Sequence, residues 1–166
     1  ILLNCFRNGG KEMFAGSQAA NLTLISDAVE NSRLGAFAPT TLSKYLAGKN
    51  VSLGFDMGNK TENFQGRCGV KDFETLLDLL YAQFTAVNPD KESYEGFVSR
   101  LRPQLEMQQK NPMFELGMRQ AKAVYGNNPM TIPPTVSTLD QANYEEMLKI
   151  YNGCVSNAAD YTLILV

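Results

Sequence analysis

The sequence predicts an α+β domain, with helices packed on one face of a mainly antiparallel sheet of about four strands. Two observations support this class, and the chain length indicates the number of domains. Between residues 51 and 84 a segment with strand periodicity is followed directly by one with helix periodicity. Strand-like runs also stand at both ends of the chain, with several helical segments between them. A chain of 166 residues is long enough to enclose one hydrophobic core, so a single domain over residues 1–166 is expected.

Residues 1–50 are predicted to form one strand and two helices. The strand covers the apolar run of residues 1–7. The first helix is predicted from Ser17 to Arg33, with Gly35 as its C-terminal stop, because glycine commonly ends helices. Its inward residues are Leu22, Ile25 and Val29. The second helix begins at Pro39 and is short.

A β-hairpin and a helix follow at residues 51–85. Apolar residues alternate with polar residues or glycine along the first strand, which is typical of a strand with one buried face. Gly58, Asn59 and Lys60 supply the turn. The predicted inward residues of the hairpin are Val51, Leu53, Phe55, Met57, Phe64, Gly66 and Cys68. The apolar stripe of the helix consists of Phe73, Leu76, Leu77, Leu80, Tyr81 and Phe84.

Asn-Pro pairs, which are typical of helix N-termini, predict where the next two helices begin. Asn88 and Pro89 are predicted to be the N-cap and first helical residue of one helix, which bends at Pro103. Asn111 and Pro112 repeat the same signal, and this helix is predicted to continue through residue 125.

The last quarter of the chain is predicted to contain a loop, a helix and a strand. Glycine and three prolines favour a loop over residues 126–137. Thr138 and Gln141 have the spacing of a capping box for a helix that ends near Gly153. Residues 161–166 are apolar and predict the closing strand. Because strand-like runs stand at both termini, we expect the chain to be a piece of a longer multi-domain protein.

Composition excludes several classes of function. A net charge of −2 and a pI near 5.2 give little attraction to phosphate backbones, so nucleic-acid binding is not expected. No apolar run approaches the roughly 20 residues that span a bilayer, so no membrane span is expected. The three cysteines have no C-x-x-C spacing and are predicted to be buried thiols.

The chain contains no histidine, which excludes Ser–His and Cys–His nucleophilic pairs and the usual imidazole zinc sites. The sequence therefore predicts no catalytic residue and no metal ligand, and it does not identify substrate-binding residues. Gly48, Lys49 and Asn50 resemble the end of a phosphate-binding loop. However, Ser43 replaces its first glycine and Asn50 its Ser/Thr, so a helix C-cap followed by a solvated lysine is the preferred interpretation.

Several stretches, in the right order, resemble the insulinase/pitrilysin group of zinc metallopeptidases. They include LGAFAPTTLSKYLAGKNVSLGFDMGN and FQGRCGVKDFETLLDLLYAQFT within residues 26–85, and the later segments 125–129 and 157–162. The resemblance covers essentially the whole chain. Within this group, the chain most resembles the third quarter of long, bacterial-type members.

The resemblance implies repeated α/β units whose two halves close around a peptide. In such proteins only the first unit carries H-x-x-E-H, whose histidines and a downstream glutamate bind zinc while the motif glutamate activates water. The equivalent stretch here is Ser26-Asp27-Ala28-Val29-Glu30, which has neither histidine. The expected cofactor, zinc, would therefore lie in another domain of the parent.

The resemblance thus implies a non-catalytic domain of a zinc peptidase, which forms part of a peptide-enclosing chamber. Its expected partners are other domains of the same parent chain and the peptide substrate. The alternative is a structural or assembly subunit that keeps the fold without peptidase activity. A stand-alone small-molecule-binding module is disfavoured, because the sequence shows no convergent polar groups. The compartment stays open between periplasm and cytoplasm.

Overall fold

The computed structural model describes residues 1–126 and 128–166. Its strands are β1 (Leu2–Asn8), β2 (Arg33–Leu34), β3 (Val51–Met57), β4 (Thr61–Cys68), β5 (Val87–Asn88) and β6 (Thr162–Leu165). Its α-helices are α1 (Ala19–Glu30), α2 (Pro39–Tyr45), α3 (Phe73–Thr85), α4 (Lys91–Gln109), α5 (Pro112–Tyr125), α6 (Val136–Gln141) and α7 (Tyr144–Cys154). Among the described residues, no helix has the length and apolar character needed to cross a membrane.

The main sheet has four strands in the order β3-β4-β1-β6, and every neighbouring pair is antiparallel. A separate two-stranded sheet pairs β2 with β5. The four-stranded antiparallel sheet and its helical layer confirm the predicted α+β class. The long hairpin of β3 and β4 is also confirmed, with Val51 opposite Cys68 and Met57 opposite Glu62.

One face of the sheet is covered by helices, and the other faces solvent. Alternation along β1 buries Leu3 and Cys5 and leaves Asn4 exposed. The helices α1 and α3 pack against β3, and α7 packs against α1. The predicted inward residues of α1 are all buried, and Phe55 meets Tyr151 edge-on with 4.9 Å between ring centroids. The fully buried hydrophobic side chains are Ile25, Ala28, Phe64, Leu76, Met147 and Tyr151.

Gly66 allows α3 to approach the hairpin closely. A Cβ atom at this position would lie 2.8 Å from Cδ1 of Leu76 and 3.1 Å from the backbone oxygen of Ser52. Asp72 fastens the start of the same helix to the start of β3, because its carboxylate accepts the Asn50 N–H at 3.0 Å. The close approach at Gly66 and the hydrogen bond of Asp72 therefore both fix the position of α3 over β3 and β4.

Two predicted helix boundaries, the end of the first helix and the start of the helix after β5, are wrong. The first helix ends at Glu30 rather than Arg33, because Arg33 and Leu34 pair with β5 instead of continuing the helix. The helix assigned to an Asn88 cap begins later. Asn88 belongs to β5, and the Asp90 side chain accepts the Ser93 N–H as the true N-cap. The helix α4 then runs through Pro103 without interruption.

The predicted capping box is also displaced. Thr135, not Thr138, is the N-cap residue of α6, and the Thr138 hydroxyl accepts the Thr135 N–H in return. The single predicted helix is two helices, because Asn143 caps a new start at α7. The predicted loop contains a 3₁₀ turn at Pro129–Thr131. Asn127, which belongs to this loop and to one segment of the resemblance, lies outside the described residues.

Candidate functional site

A groove of about 560 Å³ lies between the C-terminal half of α1, α2 and β3. Helix periodicity explains why α1 contributes to it. Ile25 and Ala28 point into the core, so their neighbours Ser26, Asp27 and Glu30 are left for the groove. Residues 26–34, 39–46 and 53–55 meet here, and Gln83, Val87 and Phe97 complete the lining. Characteristic lining residues are Asp27, Glu30, Leu42, Leu46, Leu53 and Phe55.

The charged residues of the groove are two carboxylates and one guanidinium. Burial, and after it the nearby Glu30 carboxylate, raises the pKa of Asp27 above its usual value. Arg33 does not neutralise this pair, because its guanidinium donates to the Ala36 carbonyl at 2.6 Å and lies 3.9 Å from Asp90. The α1 wall of the groove is thus acidic.

The groove contains the residues that the resemblance aligns with the zinc motif. Ser26 and Glu30 stand at the two histidine positions, and both line the groove. Zinc in proteins is held by imidazole, thiolate and carboxylate donors, usually three or four together. Within residues 1–126 and 128–166, no group of three or more His, Cys, Asp or Glu side chains is placed to hold a metal ion. The residues present at the motif position do not fit a zinc site.

β3 forms one edge of the main sheet, and its outer backbone groups face the groove side. The Gly69 N–H donates to Asn50 and the Gly58 N–H donates to Thr61, which sets the alternation of the hairpin hydrogen bonds. Even-numbered residues of β3 therefore bond to β4. Odd-numbered residues, including Leu53 and Phe55, direct their N–H and C=O groups to the open edge. No other described strand pairs with this edge.

A second polar cluster lies in the sheet itself, around Glu62. This side chain is 1% exposed and accepts from Arg7 Nε at 2.5 Å, the Tyr161 hydroxyl at 3.1 Å and the Gly10 N–H at 3.3 Å. Burial alone raises the pKa of Glu62, but hydrogen bonds from Arg7 and Gly10 outweigh it and hold the pKa below its ordinary value. Glu62 was not among the residues singled out by the sequence patterns. The signal was present, since Glu62 lies two residues before Phe64 on the inward face of β4.

The groups around Glu62 are unsuited to acid–base or nucleophilic chemistry. Burial, and then the charge of Glu62, raises the pKa of the Cys154 thiol to about 12, so it stays protonated. The same two causes raise the pKa of Tyr161. All three cysteines are buried and free, as predicted. The cluster around Glu62 therefore has a structural role, because it connects parts of the fold. The groove beside β3 remains the candidate functional site.

Lys49 is not the solvated side chain that its motif suggested. Its ammonium group donates to the Thr75 hydroxyl at 2.9 Å and lies 4.7 Å from the centre of the Tyr45 ring. Gly48 before it adopts a positive φ of 86°. Lys49 therefore joins the segment after α2 to α3.

Comparison with known proteins identifies the fold. No protein-family model and no curated protein matches the chain. Solved structures do match. The periplasmic protease PqqL from Escherichia coli has a TM-score of 0.75 and 15% identity over 98% of this chain. A peptidase M16 inactive domain from Pseudomonas fluorescens has a TM-score of 0.66 and 16% identity, and the match covers 90% of this chain and 37% of that one. The chain has the M16 peptidase domain fold.

A third structure with this fold is a mutant of the ferredoxin protease FusC in complex with Arabidopsis ferredoxin. It has a TM-score of 0.70 and 18% identity over 98% of this chain. The chain spans 18% of the length of FusC and 18% of the length of PqqL. The fold expected from the insulinase/pitrilysin resemblance is thus confirmed, and one of its solved examples is an inactive domain.

Proposed function

We propose that this chain is a non-catalytic domain of a zinc-dependent peptidase of the insulinase/pitrilysin type. One observation carries the proposal: an M16 domain fold has Ser26 and Glu30 where the zinc motif would need histidines. The domain forms part of the wall of a chamber that encloses the peptide, and it packs on sister domains of the same chain. Zinc belongs to the catalytic domain of that parent protein.

Two surface features support these roles. The groove beside β3 has a volume within the usual range for ligand pockets, roughly 300–1,000 Å³. Exposed apolar side chains on both faces of the edge strand β6 offer a surface to a neighbouring domain, since exposed apolar patches often mark interfaces. These side chains are Leu163, Ile164 and Leu165.

The experiment compares the 166-residue chain with its full-length parent. The parent should hydrolyse an unstructured peptide, and a chelator should abolish the activity. The isolated chain should neither cleave the peptide nor bind zinc tightly in equilibrium dialysis. Tight zinc binding or peptide cleavage by the isolated chain would contradict the proposal.

The alternative, a structural or assembly subunit, predicts the same behaviour for the isolated chain. The two differ in the parent. An H-x-x-E-H motif upstream of this domain, with chelator-sensitive peptidase activity, identifies a peptidase. A parent without the motif and without activity identifies the assembly subunit.

A further inference from the structure

We propose that the groove beside β3 holds an extended peptide that adds to the free edge of this strand and places a lysine or arginine side chain beside Asp27 and Glu30. The proposal rests on the proposed function, because it specifies what this domain contributes to the chamber. It makes the domain a selective binding surface for basic peptide segments.

The backbone of β3 is the first support. Leu53 and Phe55 line the groove, and each directs one N–H and one C=O group to the open edge. A strand repeats these groups every second residue, so another extended segment can satisfy both residues at once. An antiparallel segment would complete the sheet pattern, because every neighbouring pair in the sheet is antiparallel.

The walls of the groove are the second support. In an antiparallel pair, the residue opposite Leu53 has its side chain on the same face as the Leu53 side chain. That face is the helix-covered one, where α1 and α2 form the groove. Alternate side chains of the peptide therefore enter the groove, and the others face solvent. Leu42, Leu46 and Phe97 supply an apolar lining for the methylene groups of a long side chain.

Charge complementarity selects the basic residue. Asp27 and Glu30 both line the groove, and in the described part of the chain neither carboxylate takes part in an ion pair. Arg33, the cation of the groove, is already held by Ala36 and Asp90. A lysine or arginine side chain would relieve the repulsion between the two carboxylates, whereas a glutamate would increase it.

The first experiment measures side-chain selectivity. A blocked pentapeptide, Val-Thr-Lys-Thr-Val, is titrated into the isotope-labelled 166-residue chain and followed by the amide NMR signals. Replacing its lysine with norleucine should weaken binding about five- to tenfold, as expected for one partly exposed charge pair. A glutamate should weaken it further. Equal affinity for the three peptides, or no binding, would overturn the proposal.

A matched pair of protein variants tests whether the preference for lysine arises from Asp27 and Glu30. The double variant Asp27→Asn with Glu30→Gln should bind the lysine and norleucine peptides equally. The control Glu145→Gln removes an exposed carboxylate on α7, away from the groove, and should keep the five- to tenfold preference. If the double variant retained the preference, the basic side chain would bind elsewhere and the assignment to the groove would be wrong.

The second experiment tests strand addition without altering the protein. In the antiparallel arrangement the central lysine donates its N–H to β3, whereas the next threonine directs its N–H to solvent. N-methylation of the lysine nitrogen should weaken binding about tenfold or more, because it removes a hydrogen bond and adds a clash. N-methylation of the following threonine should have little effect. Equal effects of the two modifications would exclude strand addition.

These outcomes are separate from those that test the proposed function. Peptide binding by the isolated chain does not require zinc or hydrolysis. A parent without peptidase activity would contradict the proposed function and leave the binding result intact. Loss of selectivity in the two titrations would contradict the binding surface and leave the parent's activity intact.

Discussion

Glu62 connects three parts of the fold through one carboxylate. It lies on β4 and receives hydrogen bonds from Arg7 on β1, from Gly10 after β1 and from Tyr161 just before β6. The Arg7 guanidinium also lies 5.6 Å from the centre of the Tyr161 ring. A buried carboxylate is tolerated only when its oxygens are fully hydrogen-bonded. These contacts meet that requirement, so removing the charge should affect the order of several elements together.

Replacement of Glu62 by glutamine should destabilise the domain. The variant keeps the size of the side chain but leaves Arg7 with only the more distant Asp160 carboxylate at 3.8 Å, and breaking a buried pair costs about 3–5 kcal/mol. Because the Arg7 side chain is 20% exposed and can regain some hydration, we expect about 2–4 kcal/mol. Urea denaturation would measure the free energy of unfolding. The control Glu115→Gln removes an exposed ion pair with Arg119 and should cost no more than about 0.5 kcal/mol.

The contribution of Glu62 should depend on pH. Its pKa in the folded chain lies below the ordinary value of 4.5, so the unfolded chain binds the proton more readily. The stabilisation is therefore fully present above pH 4.5 and decreases as the pH falls through the folded-state pKa. The difference in unfolding free energy between the native chain and Glu62→Gln should shrink over that interval. A difference that grows on acidification would contradict this assignment.

The helices α4 to α7 each begin at a side chain that accepts a backbone N–H group. Asp90 caps α4, and its own N–H donates to the Tyr144 hydroxyl at 2.9 Å. Tyr144 also bonds to Ser32 at 2.7 Å and stacks on Tyr94 with 4.3 Å between ring centroids. The start of α4 is therefore held against the end of α1 and the start of α7.

Substitution of Asp90 by alanine should cost about 1–2 kcal/mol, because one N-terminal N–H of α4 loses its partner. Asn88→Ala, at the position that the sequence suggested for this cap, should change the free energy of unfolding by no more than about 0.5 kcal/mol. Asp90→Asn keeps a capping oxygen and separates capping from the contact with Arg33. Thermal unfolding of the three variants, followed by circular dichroism, would show which residue caps α4. Equal losses for Asn88→Ala and Asp90→Ala would contradict the observed cap.

Periodicity predicted the elements well, and short signals placed their ends less well. The alternation from Val51 to Met57 is strong because one face of the hairpin packs on helices while the other meets solvent. Asn88 was mistaken for a cap because both Asn88 and Asp90 are good N-cap residues around Pro89. The pairing with Arg33, distant in sequence, decides between them. A local motif cannot report such a contact.

The candidate groove was not predictable from local patterns. It is formed where residues 26–34, residues 39–46 and residues 53–55 meet, and their relative placement depends on how the helices pack on the sheet. The sequence did predict that the stretch from Ser26 to Glu30 is helical and lacks histidine. It could not indicate that this stretch faces the open edge of β3.

The two edges of the main sheet have different surroundings in the molecule as a whole. The β3 edge adjoins the acidic wall of the groove. The β6 edge has no charged residue within Thr162–Leu165, and all four of its residues are exposed. Natural edge strands usually carry charges, prolines or bulges that prevent pairing with other chains. The β6 edge is therefore the surface at which the isolated domain should associate.

A lysine at the β6 edge should reduce this association. Ile164→Lys places a charge on the solvent face of the strand, where like charges would repel in a paired edge. Leu116→Lys is the matched control, because Leu116 on α5 is also 46% exposed and the change in charge is identical. Sedimentation velocity at increasing concentration should show less self-association only for Ile164→Lys. A comparable reduction in both variants would indicate a general effect of net charge.

The position of β1 inside the sheet affects how the chain can fold during synthesis. Leu3 pairs with Gly66 on one side and with Leu165 on the other, so β1 emerges from the ribosome long before either partner strand. Its second edge stays open while the seven α-helices of the described residues are translated. We expect ribosome-bound chains arrested before β6 to be cleaved by protease within β1, and chains extended beyond β6 by a linker to resist this cleavage. The first strand of this domain to be translated is thus among the last to gain both of its partner strands.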